Sequence, residues 1–239
     1  MNPVIFTCST IDDRFLFDQK APWKYVSLNP QGNNLEPDLA RLKKIQGKVT
    51  IIIGNTDPYY IYSEGFAIYP AFKKNYLWKK YDQRWKTYKN TLSSRLEKKG
   101  LSNFEIISWR EFEINIRKRL GINFETVFNL LLPQISKFFS PSDFKWELNK
   151  LKQNFRPGGY FKSIFSPNNN ILNVWVKRKF TEYMVQGLFI YLFLPDSTLI
   201  QNEKPTTLRN KMYQPLIKRL FKKELPIICP FGIDDAGYQ

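Results

Sequence analysis

Apolar residues in the first half of the chain fall into short continuous runs separated by longer helical stripes. Residues 48–54 (KVTIIIG) form an apolar run of the kind carried by strands covered on both faces of a parallel sheet. Residues 23–28 (WKYVSL) and 104–109 (FEIISW) are further strand candidates, and the first ends in the turn-forming series Asn29-Pro30-Gln31-Gly32-Asn33-Asn34. Leu39, Leu42 and Ile45 place a helix over 37–45. Leu77, Tyr81, Trp85, Tyr88 and Leu92 recur at helical spacing within 71–98, where Lys98, Lys99 and Gly100 make a stop. Strand, helix, strand, long helix, strand predicts an α/β fold with a parallel sheet flanked by helices. Ligands in such folds lie at the carboxyl ends of the strands, so the loops after Ser27 and Gly54 are the places to look. Residues 1–22 read as irregular.

The second half reads as mostly helical. Residues 124–139 carry a helix with Pro133 as a kink, and 144–155 a lysine-rich amphipathic helix broken by Arg156-Pro157-Gly158-Gly159. Residues 171–193 read as a long buried helix whose later part also suits a strand. The stretch 195–205 reads as irregular, and a basic helix covers 208–223. With no repeat, linker or compositional break, one domain over 1–239 is expected.

Composition narrows the partner. The chain has 239 residues, 43% of them hydrophobic and 16% aromatic, enough for a sizeable core. Lysine and arginine number 37 against 21 acidic residues, a formal charge of +16, which draws phosphate backbones from a distance. The most apolar stretch, 188–194, is too short to cross a bilayer, and the first ten residues lack the basic and apolar regions of a signal peptide. A cytoplasmic protein with no membrane partner is therefore expected. There is no histidine, and Cys8 and Cys229 make neither a metal-type spacing nor a disulfide framework. That removes Ser-His and Cys-His pairs and the usual zinc sites, leaving serine, tyrosine, carboxylate, lysine and amide chemistry. No phosphate-binding glycine loop is present. Neither a cofactor nor a metal is expected.

Three groups of residues could carry function. The cations of the 71–98 helix, Lys73, Lys74, Lys79, Lys80, Arg84, Lys86 and Lys89, could form a rigid row against a phosphate backbone, and Lys211, Lys218, Arg219, Lys222 and Lys223 supply a second cluster. The plain alternative is an ordinary solvated helix face. Ser27 would stand where a buried strand meets a loop. Its hydroxyl could take an acyl group that is already activated as an ester, although a serine capping a turn explains the same position. Tyr183, with Glu182 and Gln186 on the long helix, and Tyr213, beside Gln214 and Pro215, could bind an amine or relay a proton; each could equally be a core or surface tyrosine.

Taken in order, these pieces resemble the tRNA-dependent cyclodipeptide synthases. The resemblance runs from Lys24 to Pro215: Tyr25-Val26-Ser27, the strand and loop from Ile51 to Asp57, the Trp78–Trp85 stretch of the basic helix, Ile106-Ile107-Ser108-Trp109, the Tyr183 helix and the late Tyr213. It implies a Rossmann-like sheet resembling the catalytic domain of class I aminoacyl-tRNA synthetases, without an ATP site, in a monomer. It also implies a ping-pong reaction. Ser27 would take an aminoacyl group from one charged tRNA, a second would yield a dipeptidyl-enzyme, and cyclisation would release a diketopiperazine. Tyr183 would hold the first amino group, Tyr213 would relay protons, and Tyr25, Asn29, Asn55 and Gln214 would contact substrate. The chain departs from the family at Tyr25, where glycine is usual, at Pro30, at Gln214, and at Gly187, where the family carries glutamate. Gln186 and Glu182 are the nearest substitutes for that carboxylate. The alternatives are a non-catalytic RNA-binding module on a synthetase-like fold and an RNA-modifying transferase.

If the basic helix meets tRNA, Lys80→Glu and Arg84→Glu weaken binding and lower the slope of log affinity against log salt by about one for each phosphate no longer engaged. An unchanged slope would place the interface on another face.

Overall fold

The computed structural model describes residues 4–7, 48–53, 86, 89–90, 93–94, 96–98, 100–154, 168–193, 198–200 and 206–228. Five strands make one sheet: β1 (Val4–Thr7), β2 (Val49–Ile53), β3 (Phe104–Ser108), β4 (Leu199–Ile200) and β5 (Ile227–Ile228). All pairings are parallel and the order is β3-β2-β1-β4-β5. The residues between the strands include α1 (Trp109–Leu120), α2 (Phe124–Leu131), a 3-10 helix (Leu132–Lys137), α3 (Pro141–Asn154), α4 (Asn169–Phe193) and α5 (Leu208–Phe221). The chain is thus mixed helix and strand around a parallel sheet.

Parallel pairing follows from the sequence of β2. Val49, Thr50, Ile51 and Ile52 are all buried, as a strand covered on both faces must be. Thr7, Ile53 and Ser108 lie in register at the carboxyl edge of β1, β2 and β3. At that edge Ser108 turns the chain into α1. Its hydroxyl accepts from the Glu111 amide at 3.1 Å, while the Glu111 carboxylate accepts from the Ser108 amide at 2.7 Å. This reciprocal capping box satisfies two amides that the first turn would otherwise leave open. At the other end of α1, Gly121 takes a left-handed φ of 67°, the conformation that terminates a helix most cheaply in glycine.

The first strand of the sheet differs from expectation. Residues 1–22 read as irregular, yet Val4–Thr7 is the central strand, between β2 and β4. Both sides of β2 are occupied, by β1 and β3; residues 23–28 and the 37–45 helix lie outside the described residues. β3 ends at Ser108, and Trp109 begins a helix rather than ending a strand. Pro133 does interrupt the 124–139 helix, converting it to a 3-10 turn. The 171–193 segment is one helix throughout, and β4 falls within the stretch read as irregular.

α4 is the central helix of the molecule. Every residue from Lys179 to Tyr191 is buried, so the helix is covered all round rather than along one stripe. Its closest partner is α5. Tyr183 meets Arg209, Gly187 meets Tyr213, and Tyr191 meets Phe221, an advance in the same direction along both helices, which therefore run parallel. Both precede a strand of a parallel sheet, which is why they run the same way. α5 begins beyond the carboxyl end of β4, so its first turns, and the part of α4 beside them, lie toward the carboxyl edge.

The approach is set by one glycine. A Cβ on Gly187 would fall 2.6 Å from the Tyr213 Cα, Cβ and carbonyl oxygen, and backbone cannot move aside as a side-chain tip can. Gly→Ala in a helix interior normally stabilises by about 1 kcal/mol. Overpacking costs about 1–3 kcal/mol and more when backbone must shift. Gly187→Ala should therefore lower stability by a net ~2 kcal/mol in urea denaturation, and a gain in stability would mean the helices stand farther apart.

Candidate functional site

The core of α4 contains polar residues that an all-apolar environment would not tolerate without partners. Lys179, Glu182, Tyr183 and Gln186 recur at steps of three, one and three residues, which places them on one side of the helix. Gln186 is fully buried and uses both ends of its amide. Its Nε2 donates to Glu182 Oε1 at 3.0 Å, and its Oε1 accepts from the Tyr213 hydroxyl at 3.3 Å. The result is a chain from carboxylate through amide to phenol, joining α4 to α5. Tyr183 and Tyr213 stand edge to face with ring centroids 6.4 Å apart, a favoured arrangement for two aromatic rings.

Tyr183 is flanked by cations. The Arg209 guanidinium lies 5.0 Å from its ring centroid and donates to its hydroxyl oxygen at 3.4 Å, a long bond. The Lys179 ammonium lies 5.8 Å from the same ring and is paired with Glu147 of α3. Burial pushes the Tyr183 hydroxyl up to about 12, outweighing the opposite pull of Arg209 and Lys179. At neutral pH the side chain is therefore a neutral phenol that can donate a proton in a hydrogen bond. It is not a phenolate base.

The Glu147–Lys179 pair is buried on both sides, with side chains 4% and 9% exposed. Burial alone would raise the Glu147 carboxyl, but Lys179, with Lys150 and Arg209 farther off, more than offsets it and holds the group below its usual range. The pair fastens α3 to α4 directly beneath Tyr183.

The sequence candidates are distributed unevenly over this arrangement. Glu182, Tyr183, Gln186 and Tyr213 come together. Tyr213 is fully buried, the core position that was one of its two plain alternatives. Gln214 holds the fold together instead of facing a ligand. Its Nε2 donates to the Leu225 carbonyl at 2.9 Å and its Oε1 accepts from the Leu225 amide at 3.0 Å, tying the chain after α5 back onto the helix. Ser27, Tyr25, Asn29, Asn55, Lys73, Lys74, Lys79, Lys80 and Arg84 lie outside the described residues. Lys86 is helical and exposed, while Lys89 pairs with Glu111 at 3.4 Å. Lys211, Arg219, Lys222 and Lys223 are exposed, and Lys218 pairs with Glu224 at the surface.

Arg209, Lys179 and Glu147 are not among the residues that sequence reasoning singles out. The polar stripe at 179, 182, 183 and 186 is a usable signal, because such residues inside an apolar helix must face partners. Arg209 could be sought four residues before Tyr213, the same spacing that separates Tyr183 from Gly187.

No group of side chains suited to a metal ion occurs among the described residues, and no helix there is long and apolar enough to cross a membrane. No family model, no curated protein and no solved structure matches the chain.

Lys179→Met, which strands the Glu147 carboxylate, should cost about 3 kcal/mol at neutral pH, and the double variant Glu147→Gln/Lys179→Met should recover most of that. Because the folded-state pKa of Glu147 is depressed, its contribution is present above the unfolded value and is lost as pH falls through and below the ordinary glutamate range. Urea titrations across acidic pH should show a flatter acid limb in the double variant than in the wild type. Identical acid limbs would mean that the pair contributes nothing to acid sensitivity.

Proposed function

We propose that the protein is a tRNA-dependent acyltransferase of the cyclodipeptide synthase type, built on a Rossmann-like fold. The observation that carries this reading is the convergence of Tyr183, Gln186 and Tyr213. The resemblance puts the two tyrosines in one site although 30 positions separate them in sequence, and the Tyr213–Gln186 hydrogen bond and ring contact join them. The strand order β3-β2-β1-β4-β5 is that of a doubly wound dinucleotide-binding sheet, whose ligands bind where the order reverses, here between β1 and β4. The first turns of α5 lie toward that edge. The excess of basic residues suits tRNA as the carrier of the substrate.

In this reaction a serine hydroxyl oxygen attacks the ester carbonyl of a charged tRNA. The bond to the terminal ribose oxygen breaks, and the serine proton ends on that oxygen. The amine of the resulting aminoacyl-enzyme attacks a second charged tRNA in the same way. The terminal amine of the dipeptide then attacks the serine ester, closing the ring and returning the proton to serine. Two activated esters supply the driving force, so neither nucleotide nor oxidant is consumed. Glu182, through Gln186, fixes the direction of the Tyr213 hydroxyl, and so replaces the carboxylate that Gly187 cannot carry.

Gly187 favours one second reading, a module that binds charged tRNA without turnover. Incubation with a mixture of charged tRNAs, followed by intact-mass and small-molecule analysis, separates the two. An aminoacyl mass increment lost in Ser27→Ala, with diketopiperazine released, supports the synthase. Because the central strand leads directly into Cys8-Ser9-Thr10, Ser9→Ala belongs in the same series. Loss of the increment there instead of at Ser27 would move the nucleophile to Ser9. Unchanged mass with intact charged tRNA would sink the synthase reading.

A further inference from the structure

We propose that the end of the molecule where α1, α4 and α5 finish is a docking surface for an anionic lipid bilayer, which leaves the carboxyl edge of the sheet turned away from the lipid. The inference is independent of the acyltransferase reading.

The fold assembles this surface from distant parts of the chain. α1 starts at the carboxyl edge, at Ser108, and its 12 residues carry the chain to the amino edge. α4 and α5 run the same way, each ending shortly before the start of a strand. Side chains tie the ends together. Arg119 of α1 donates to the Leu192 carbonyl of α4 and lies 5.4 Å from the Phe193 ring centroid. Tyr191 of α4 packs on Phe221 of α5 with ring centroids 5.0 Å apart. Arg219 of α5 lies 5.9 Å from the ring centroid of Phe138, which closes the 3-10 helix.

The surface is cationic and apolar at once. Arg117, Lys118, Lys137, Lys222 and Lys223 are exposed there, as are Arg119 and Arg219. Within residues 117–121, 191–193 and 217–224 the one carboxylate is Glu224, which pairs with Lys218. Leu120, Leu220 and Phe221 stand among these cations, 40%, 58% and 39% exposed. RNA would engage the charges through its phosphates but leave the leucines in water. An anionic bilayer takes both, the cations among the headgroups and the apolar side chains at the acyl boundary. The position of the surface agrees. Arg209 and Tyr183 lie beside the first turn of α5, and the length of that 14-residue helix separates them from Leu220 and Phe221. A bilayer at the far end therefore leaves the candidate site open to a macromolecular substrate. The contact is with the lipid surface alone, and needs neither a spanning helix nor a signal peptide.

Sedimentation of the full chain with vesicles at physiological salt tests this. Vesicles of phosphatidylglycerol and phosphatidylcholine in equal parts should carry the protein down, and pure phosphatidylcholine should not. Lys222→Glu/Lys223→Glu should weaken binding by at least roughly thirtyfold, about one factor of five or so for each cation lost from the headgroups. Leu220→Ser should weaken it by roughly tenfold. Lys145→Glu/Lys177→Glu makes the same change of charge on exposed residues elsewhere and should have much the smaller effect. Leu220→Trp should add fluorescence that brominated acyl chains quench beyond the quenching seen in the wild type. Failure to bind anionic vesicles, an equal loss in the Lys145/Lys177 variant, or no added quenching at position 220 would each overturn the proposal. Uncharged tRNA is the comparison ligand. If Lys222→Glu/Lys223→Glu and Leu220→Ser weaken its binding and leave vesicle binding unchanged, the surface is an RNA contact and the bilayer reading fails.

Discussion

The close approach of α4 and α5 at Gly187 is the constraint on which the rest of the site depends. A helix pair ordinarily keeps its axes about 8–10 Å apart, with side chains filling the gap. Here a missing side chain lets the Tyr213 backbone sit where a Cβ would be. That approach fixes the relative rotation of both helices, and so decides which of their side chains face each other. Tyr183 then meets Arg209, and Gln186 meets the Tyr213 hydroxyl. The same approach explains why glutamate is absent from position 187: the space is taken by main chain. The carboxylate is found one turn earlier, at Glu182, and reaches Tyr213 through the amide of Gln186.

The polar cluster also shows how a buried helix can carry charge. A lysine, a glutamate and a glutamine lie within α4, each tied to a partner on its own or a neighbouring helix. Removing one partner leaves a stranded buried group, so loss of either member of such a pair costs more than the pair itself contributes. Tyr183 is the exception in its proton, which no described residue accepts.

Much of the fold was legible in the sequence where one element dominates its local pattern. The Ile51-Ile52-Ile53 run and the 104–108 strand stand out by their apolar content, and Pro133 marks the change from α to 3-10 helix. β1 was not recognised because Val4-Ile5-Phe6 is a very short run without flanking turn signals. β4 and β5 have two residues each and are defined by pairing rather than by periodicity. Helix α1 went unpredicted although its signals are readable: Ser108-Trp109-Arg110-Glu111 is a capping box, and Trp109, Phe112 and Ile116 follow at helical spacing. The alternation of charges over Glu111, Glu113, Arg117, Lys118 and Arg119 obscured that apolar face. At the site, the two tyrosines and their α4 neighbours could be named from residue order. Arg209 is marked only by its spacing from Tyr213, and Glu147 not at all, because their roles arise from the packing of three helices. Gln214 looked chemical in sequence and is structural in space, since only the folded chain brings Leu225 within its reach.

The Gly187 backbone lies against the Tyr213 backbone, and a nuclear Overhauser spectrum of isotope-labelled protein reads this proximity directly. Strong cross-peaks between the Gly187 α-protons and the α- and β-protons of Tyr213 are predicted. Their absence, with both residues assigned and helical, would contradict the arrangement of α4 and α5 from which the site is built.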